Sequence, residues 1–165
     1  MSIPVVAKFE FLSSVQGLPQ DHSQFILPKR STPGSAGYDF FNPYYHSIVI
    51  QPGEHFIIPT GIKCRINEGW VLQLYPRSGL GFKHQLRIAN TVGIIDSDYY
   101  NNPSNEGEIV IKLVNGGDTP VSIAPGKAYC QGVFVPFGIT EDDNPVNSER
   151  IGGFGSSDNQ NTPSN

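Results

Sequence analysis

The chain has 165 residues and a net charge of −4, and only 16% of its positions are charged. That length suits one domain with a substantial core and leaves little room for a second. Its 18 Gly and 14 Pro, thinly spread, exclude a helical bundle, a coiled coil and collagen, and the acidic balance disfavours a broad nucleic-acid-binding surface.

Taken in order, strand signals dominate. Val5 to Leu12 alternates, and Ser47 to Ile50 is followed by a Gln51-Pro52-Gly53 turn and the run His55 to Ile58. Gly61 to Ile66 and Trp70 to Tyr75 flank Asn67-Glu68-Gly69, which predicts a hairpin. One short helix is predicted near Ser78 to Leu86. Glu108 to Val114 and Pro120 to Ile123 flank Asn115-Gly116-Gly117-Asp118, a second hairpin signal, and Ala128 to Phe137 is a long apolar strand. Many short strands with frequent turns predict a β-sandwich, barrel or jelly roll. Residues 1–140 form the predicted domain. Residues 141–165 read as a polar linker followed by a Gly-rich arm, because Thr140 to Glu149 lacks apolar periodicity.

Two cysteines, Cys64 and Cys130, make no disulfide framework and have no neighbouring ligand at metal spacing, so two reduced thiols are expected. The opening MSIPVVAKFEFL has no basic n-region, and no apolar run approaches membrane length. A cytoplasmic protein without membrane contact is the expectation.

Several segments hold residues suited to chemistry. Pro76-Arg77-Ser78-Gly79 follows a strong strand and opens the short helix; Arg offers a fork of donors, Ser a hydroxyl, and Gly lets backbone amides approach an anion. Taken alone, it reads more readily as a capped turn with a surface Arg, because such short motifs are common. Asp96 follows the apolar Ile94-Ile95, where a carboxylate is either a turn former or a positioned base. Asp39, in Ser35-Ala36-Gly37-Tyr38-Asp39, reads more readily as a turn residue than as a ligand. Gln131, inside an apolar strand, is either a satisfied core amide or a reader of a polar ligand. Arg150-Ile151-Gly152-Gly153-Phe154-Gly155 sets one charge and one ring among glycines, the composition of a flap.

Five segments in order, SAGYDF (35–40), PRSGLGFK (76–83), NTVGIIDSDYY (90–100), KAYCQGVFVPF (127–137) and RIGGFGSS (150–157), resemble the trimeric dUTPase family. The resemblance covers roughly residues 25–157. It implies an all-β, antiparallel jelly roll with at most one short helix, and hydrolysis of dUTP to dUMP and pyrophosphate by a homotrimer. Mg²⁺ is implied as cofactor, carried on the triphosphate. Asp96 matches the family's water-activating carboxylate, and Asp39 the acidic residue that orders the metal's water shell. Arg77, Ser78, Gly79 and Gln131 match phosphate-site residues. Asn90 to Tyr99, with Asn90, Gly93 and Ile95, resembles the β-hairpin whose backbone pairs with uracil, and Tyr99 the ring that packs on deoxyribose and excludes a 2′-hydroxyl. Phe154 matches the aromatic that closes over the base; Arg150, with Gly155, Ser156 and Ser157, matches the phosphate-binding arm.

Three departures accompany the match. Tyr100 to Glu106 intervene where the family usually has one residue, an extension similar to a variant in some Gram-positive bacterial and phage relatives. Arg150 lies one residue nearer the double glycine than is common, and Ser157 stands where Thr is usual. Two other readings compete. dCTP deaminase shares the fold, but its proton-shuttling glutamate aligns with Lys112, which cannot serve as that base near neutral pH unless its pKa is strongly lowered. A non-enzymatic jelly-roll module for assembly or regulation explains the strands and leaves the five segments as coincidence.

Overall fold

The computed structural model describes residues 2–13 and 26–145. Twelve strands run in the order β1 (Ala7–Phe11), β2 (Lys29–Arg30), β3 (Tyr38–Phe41), β4 (Ile48–Ile50), β5 (His55–Pro59), β6 (Ile62–Ile66), β7 (Trp70–Pro76), β8 (Leu86–Ile88), β9 (Gly93–Ile95), β10 (Val110–Asn115), β11 (Val121–Ile123) and β12 (Ala128–Pro136). One helix, α1 (Ser78–His84), and a 3-10 turn at Ser97–Tyr99 complete the described elements. Among these residues no helix is long and apolar enough to cross a membrane.

All strand pairs are antiparallel. The largest sheet has the order β2-β3-β12-β7-β9; a second runs β5-β10-β8; β1 pairs with β6, and β11 with β4. Alternation at period two explains how these strands share a core. In β6, Ile62, Cys64 and Ile66 are buried while Arg65 is exposed; β4, β8 and β11 repeat the pattern with one exposed residue between two buried ones. Phe40, Ile58, Leu72, Leu113 and Tyr129 meet at the centre. Cys64 and Cys130 are buried and unbridged, and loss of solvent pushes both thiols up to about 12, so neither is a reactive thiolate.

Both predicted hairpins are corrected by the structure. Asn67–Gly69 is a tight turn, with Trp70 N–H donating to the Asn67 carbonyl at 3.2 Å, yet β6 pairs with β1 while β7 pairs with β12 and β9. The nine-residue β12 offers β7 a longer ladder than the five-residue β6 can. The 115–118 turn likewise separates sheets. Asn115 is fully buried, and its Nδ2 donates to the carbonyls of Ile50 and Thr119, both at 2.9 Å, which ties the turn to β4. Turn chemistry is local, whereas partner choice is made by distant apolar strands. The 35–39 segment, read as a turn, contains the start of β3, which lies against β12. α1 ends two residues earlier than predicted, where Gln85 takes φ 53° and returns the chain to β8.

Candidate functional site

Two groups of the predicted residues are built on the five-stranded sheet. The first lies where β3, β12 and the end of β7 meet. Asp39 on β3 stands opposite Gln131 on β12, which stands opposite Tyr75 on β7. Directly opposed residues of antiparallel strands project to the same face, so these three share one side of the sheet. Arg77 follows β7 immediately, and its Nε lies 3.1 Å from Asp39 Oδ1. Ser31 Oγ donates to Asp39 Oδ2 at 2.9 Å. The Asp39 side chain is thus 11% exposed but held by a guanidinium and a hydroxyl, while the Arg77 side chain remains 44% exposed. Gln131 Nε2 donates to the Pro76 carbonyl at 3.2 Å, fixing the residue that leads into the Arg77 turn. Gly37 approaches Gln131 so closely that a Cβ there would overlap the amide oxygen. Ser78 and Gly79 are exposed in the first turn of α1, where helix amides lack intrahelical acceptors.

The second group surrounds a cavity of about 460 Å³. Its walls include Leu74 from β7, Ile88, Asn90, Gly93 and Ile95 from the β8–β9 segment, and Tyr99, Glu108 and Lys112. This size falls among small-molecule sites, which span roughly 300–1,000 Å³. Asn90 to Tyr99 is not a ladder of two paired strands: β8 joins β10 and β9 joins β7. A turn links them, with Thr91 N–H donating to the Ile88 carbonyl at 3.0 Å. The segment therefore bridges two sheets and closes the cavity between them. Asp96 follows Ile95 directly, is half-buried, and begins the 3-10 turn, its carbonyl accepting from Tyr99 N–H at 3.2 Å. The Tyr99 ring is buried; its hydroxyl donates to the Glu108 carbonyl at 3.1 Å and accepts from Asn105 Nδ2 at 2.7 Å.

The two groups occupy different places on the sheet. Leu72 and Leu74, opposite Ile95 and Gly93, alternate with Tyr75 and face the other side of the sheet. Three strand spacings separate β3 from β9, about 14 Å. The cavity wall also includes Ile94, opposite Gln73 and on the Tyr75 side, so the cavity lies along the β9 edge of the sheet and away from the Asp39 strand. Arg150, Phe154, Gly155, Ser156 and Ser157 lie outside the described residues.

Among the described residues no three His, Cys, Asp or Glu side chains gather to hold a metal. Asp39 has one oxygen on Arg77 and the other on Ser31, an arrangement suited to touching a hydrated ion rather than caging one. That donor set fits Mg²⁺ borne mainly by a ligand's phosphates.

Sequence reading missed Ser31, Glu108 as a cavity residue, and Asn105. Burial pushes the Glu108 carboxyl above its ordinary 4.5, against the opposing effect of Gly61 N–H, which donates to it at 2.9 Å. Nothing in the spacing of these residues signals the contacts, which depend on pairing across distant segments.

With this geometry in place, comparison with known proteins is specific. A family model described as dUTPase matches residues 23–158. The chain is 46% identical over 131 residues to the deoxyuridine 5′-triphosphate nucleotidohydrolase of Lactococcus lactis subsp. lactis (strain IL1403), a match covering 79% of this chain and 86% of that one. The crystal structure of the Streptococcus mutans dUTPase superposes with a TM-score of 0.65 at 38% identity, covering 81% of this chain and 98% of the other. A Staphylococcus bacteriophage 80alpha dUTPase with dUpNHpp shares the fold, with a TM-score of 0.63 at 22% identity and coverage of 87% and 98%.

Proposed function

The chain belongs to the dUTPase family, and from that premise we propose that it hydrolyses dUTP to dUMP and pyrophosphate, at a site shared between the subunits of a homotrimer. The observation that carries the reading is the 90–99 segment, which lines a nucleoside-sized cavity with Asn90, Gly93, Ile95 and Tyr99 and delivers Asp96 immediately beyond it.

In this reading the backbone groups of Asn90, Gly93 and Ile95 pair with the edge of uracil. The Tyr99 ring packs on deoxyribose in a way that would leave no room for a 2′-hydroxyl. Arg77, the exposed Ser78 and Gly79 turn, and Gln131 bind phosphate oxygens. The Asp96 carboxylate accepts a proton from water as that water attacks the α-phosphorus; the α–β bridging oxygen leaves with pyrophosphate. Mg²⁺ bound to the triphosphate supplies neutralisation of phosphate charge. Asp39 would face that ion's water shell, and the Arg77 contact orients the carboxylate. Phe154 closes over the base, and Arg150, Gly155, Ser156 and Ser157 embrace the phosphates, excluding water from the reacting centre.

The lateral separation of the β9 cavity from the Asp39 strand supports a trimer, in which a nucleotide filling one chain's cavity takes phosphate ligands from another copy. The decisive experiment offers dUTP, dTTP, dCTP and UTP separately to the purified protein with Mg²⁺ and measures pyrophosphate and base identity. Pyrophosphate from dUTP, far in excess of that from the other three, is expected. Conversion of dCTP to a uracil nucleotide, or no reaction with any of the four, overturns the reading.

A further inference from the structure

The segment between Tyr99 and Glu108 is densely bonded. Asn102 N–H donates to the Tyr99 carbonyl at 3.1 Å, Glu106 N–H to the Asn102 carbonyl at 2.7 Å, and Glu108 N–H to the Asn105 carbonyl at 3.1 Å. Asn101, Glu106 and Gly107 all take positive φ, at 57°, 58° and 78°. Non-glycine residues adopt that region only where their surroundings hold them there. Those surroundings are identifiable. Glu106 accepts from Ser13 N–H at 2.9 Å and from the Ser13 hydroxyl, Lys63 Nζ donates to Asn101 Oδ1 at 2.7 Å, and the Tyr100 hydroxyl donates to Glu10. The extension is anchored to β1 and β6.

From this anchored frame Asn105 spans two structures. Its Oδ1 accepts from Gly107 N–H at 3.0 Å within the extension, and its Nδ2 reaches the Tyr99 hydroxyl in the cavity wall at 2.7 Å. Because Tyr99 in turn donates to the Glu108 carbonyl, its ring is held at the tip as well as at the backbone. We infer that Asn105 is a positioning residue which, acting through the Tyr99 hydroxyl, fixes the wall of the sugar pocket and sharpens discrimination against ribonucleotides. This rests on the reading of Tyr99 as the ring beneath deoxyribose. A ring free to tilt admits a 2′-hydroxyl; a ring pinned at its far end does not.

The test compares wild type, Asn105→Ala, Tyr99→Phe and the double variant, measuring kcat/KM for dUTP and UTP together with Tm. Asn105→Ala is expected to lower the dUTP:UTP ratio about three- to tenfold, the worth of one neutral hydrogen bond. KM for dUTP should rise while kcat stays near wild type. In the Tyr99→Phe background the same substitution should change the ratio no further, since the hydroxyl it acts through is gone. Asn102→Ala serves as the structural control. It removes the acceptor for Ser104 N–H and Ser104 Oγ inside the extension but leaves the Asn105–Tyr99 bond, so it should lower Tm without moving the ratio. An unchanged ratio in Asn105→Ala, an additive double variant, or an equal fall in Asn102→Ala overturns the inference. A wild type that does not prefer dUTP to UTP overturns instead the underlying assignment of Tyr99, and this inference with it.

Discussion

Asp96 begins the 3-10 turn, its backbone carbonyl accepting from Tyr99 N–H. Asp96→Asn keeps the shape and removes the proton acceptor. Turnover of dUTP should fall by about 10²–10⁴-fold, with affinity for a non-hydrolysable analogue nearly unchanged. Wild-type kcat in that variant would remove Asp96 from the mechanism. Glu108 offers a separate, pH-dependent prediction. Its folded pKa is raised by burial, so the folded state holds the proton more tightly than the unfolded chain. The resulting stability penalty is absent below 4.5 and complete above the folded value. Glu108→Gln keeps an acceptor for Gly61 N–H without a charge to desolvate. Its Tm should exceed that of wild type at neutral pH and converge with it as the pH falls towards 4.5, as a thermal melt series would register.

The elements carry their own constraint at Gly107. With φ at 78° and a Cβ position that would overlap the Tyr99 carbonyl oxygen, this glycine is required by both conformation and space. Gly107→Ala should destabilise the protein by about 1–3 kcal/mol and open the 100–106 extension to proteolysis. Glu106 makes that element sensitive to acid. Ser13 hydrogen bonds lower its pKa, so the anchoring contribution is full above the ordinary 4.5 and is lost as the pH drops through the lowered value. Proteolytic cleavage of the extension by an acid-active protease should therefore rise below pH 4.5, with Ser13→Ala weakening the anchor already at neutral pH.

For the whole molecule, the separation of the two residue groups makes a complementation experiment informative. If one active site draws its cavity from one chain and Arg77 from another, Asp96→Asn and Arg77→Ala homo-oligomers are both inactive. Co-refolded mixtures then regain activity, because some sites combine an intact Asp96 segment with an intact Arg77 cluster. Mixtures no more active than either parent would show that each chain completes its own site. Sedimentation of the same mixtures reports the oligomeric state independently.

Much of this protein was legible before folding, because the decisive signals are local. Alternation marked β1, runs flanked by turn residues marked β4, β5, β6, β7, β10 and β11, a long apolar run marked β12, and short motifs marked Asp39, Arg77, Asp96 and Gln131 as chemically suited positions. Partner choice was not local. Asn67-Glu68-Gly69 and Asn115–Asp118 both read as hairpins, but the apolar faces of β1, β4 and β12 capture the strands on either side. Short strands such as β3, β8 and β9 carry too few residues for periodicity to show and exist because longer neighbours supply their ladders. The sequence by itself determined the all-β class and the residue types available for chemistry, since hydropathy period and side-chain functionality are written residue by residue. Only the tertiary structure decided that Asp39 meets Arg77, that Asn105 holds Tyr99, and that the cavity lies at the β9 edge, three strands from Asp39, because each of those facts depends on strand order and register between segments far apart in the chain.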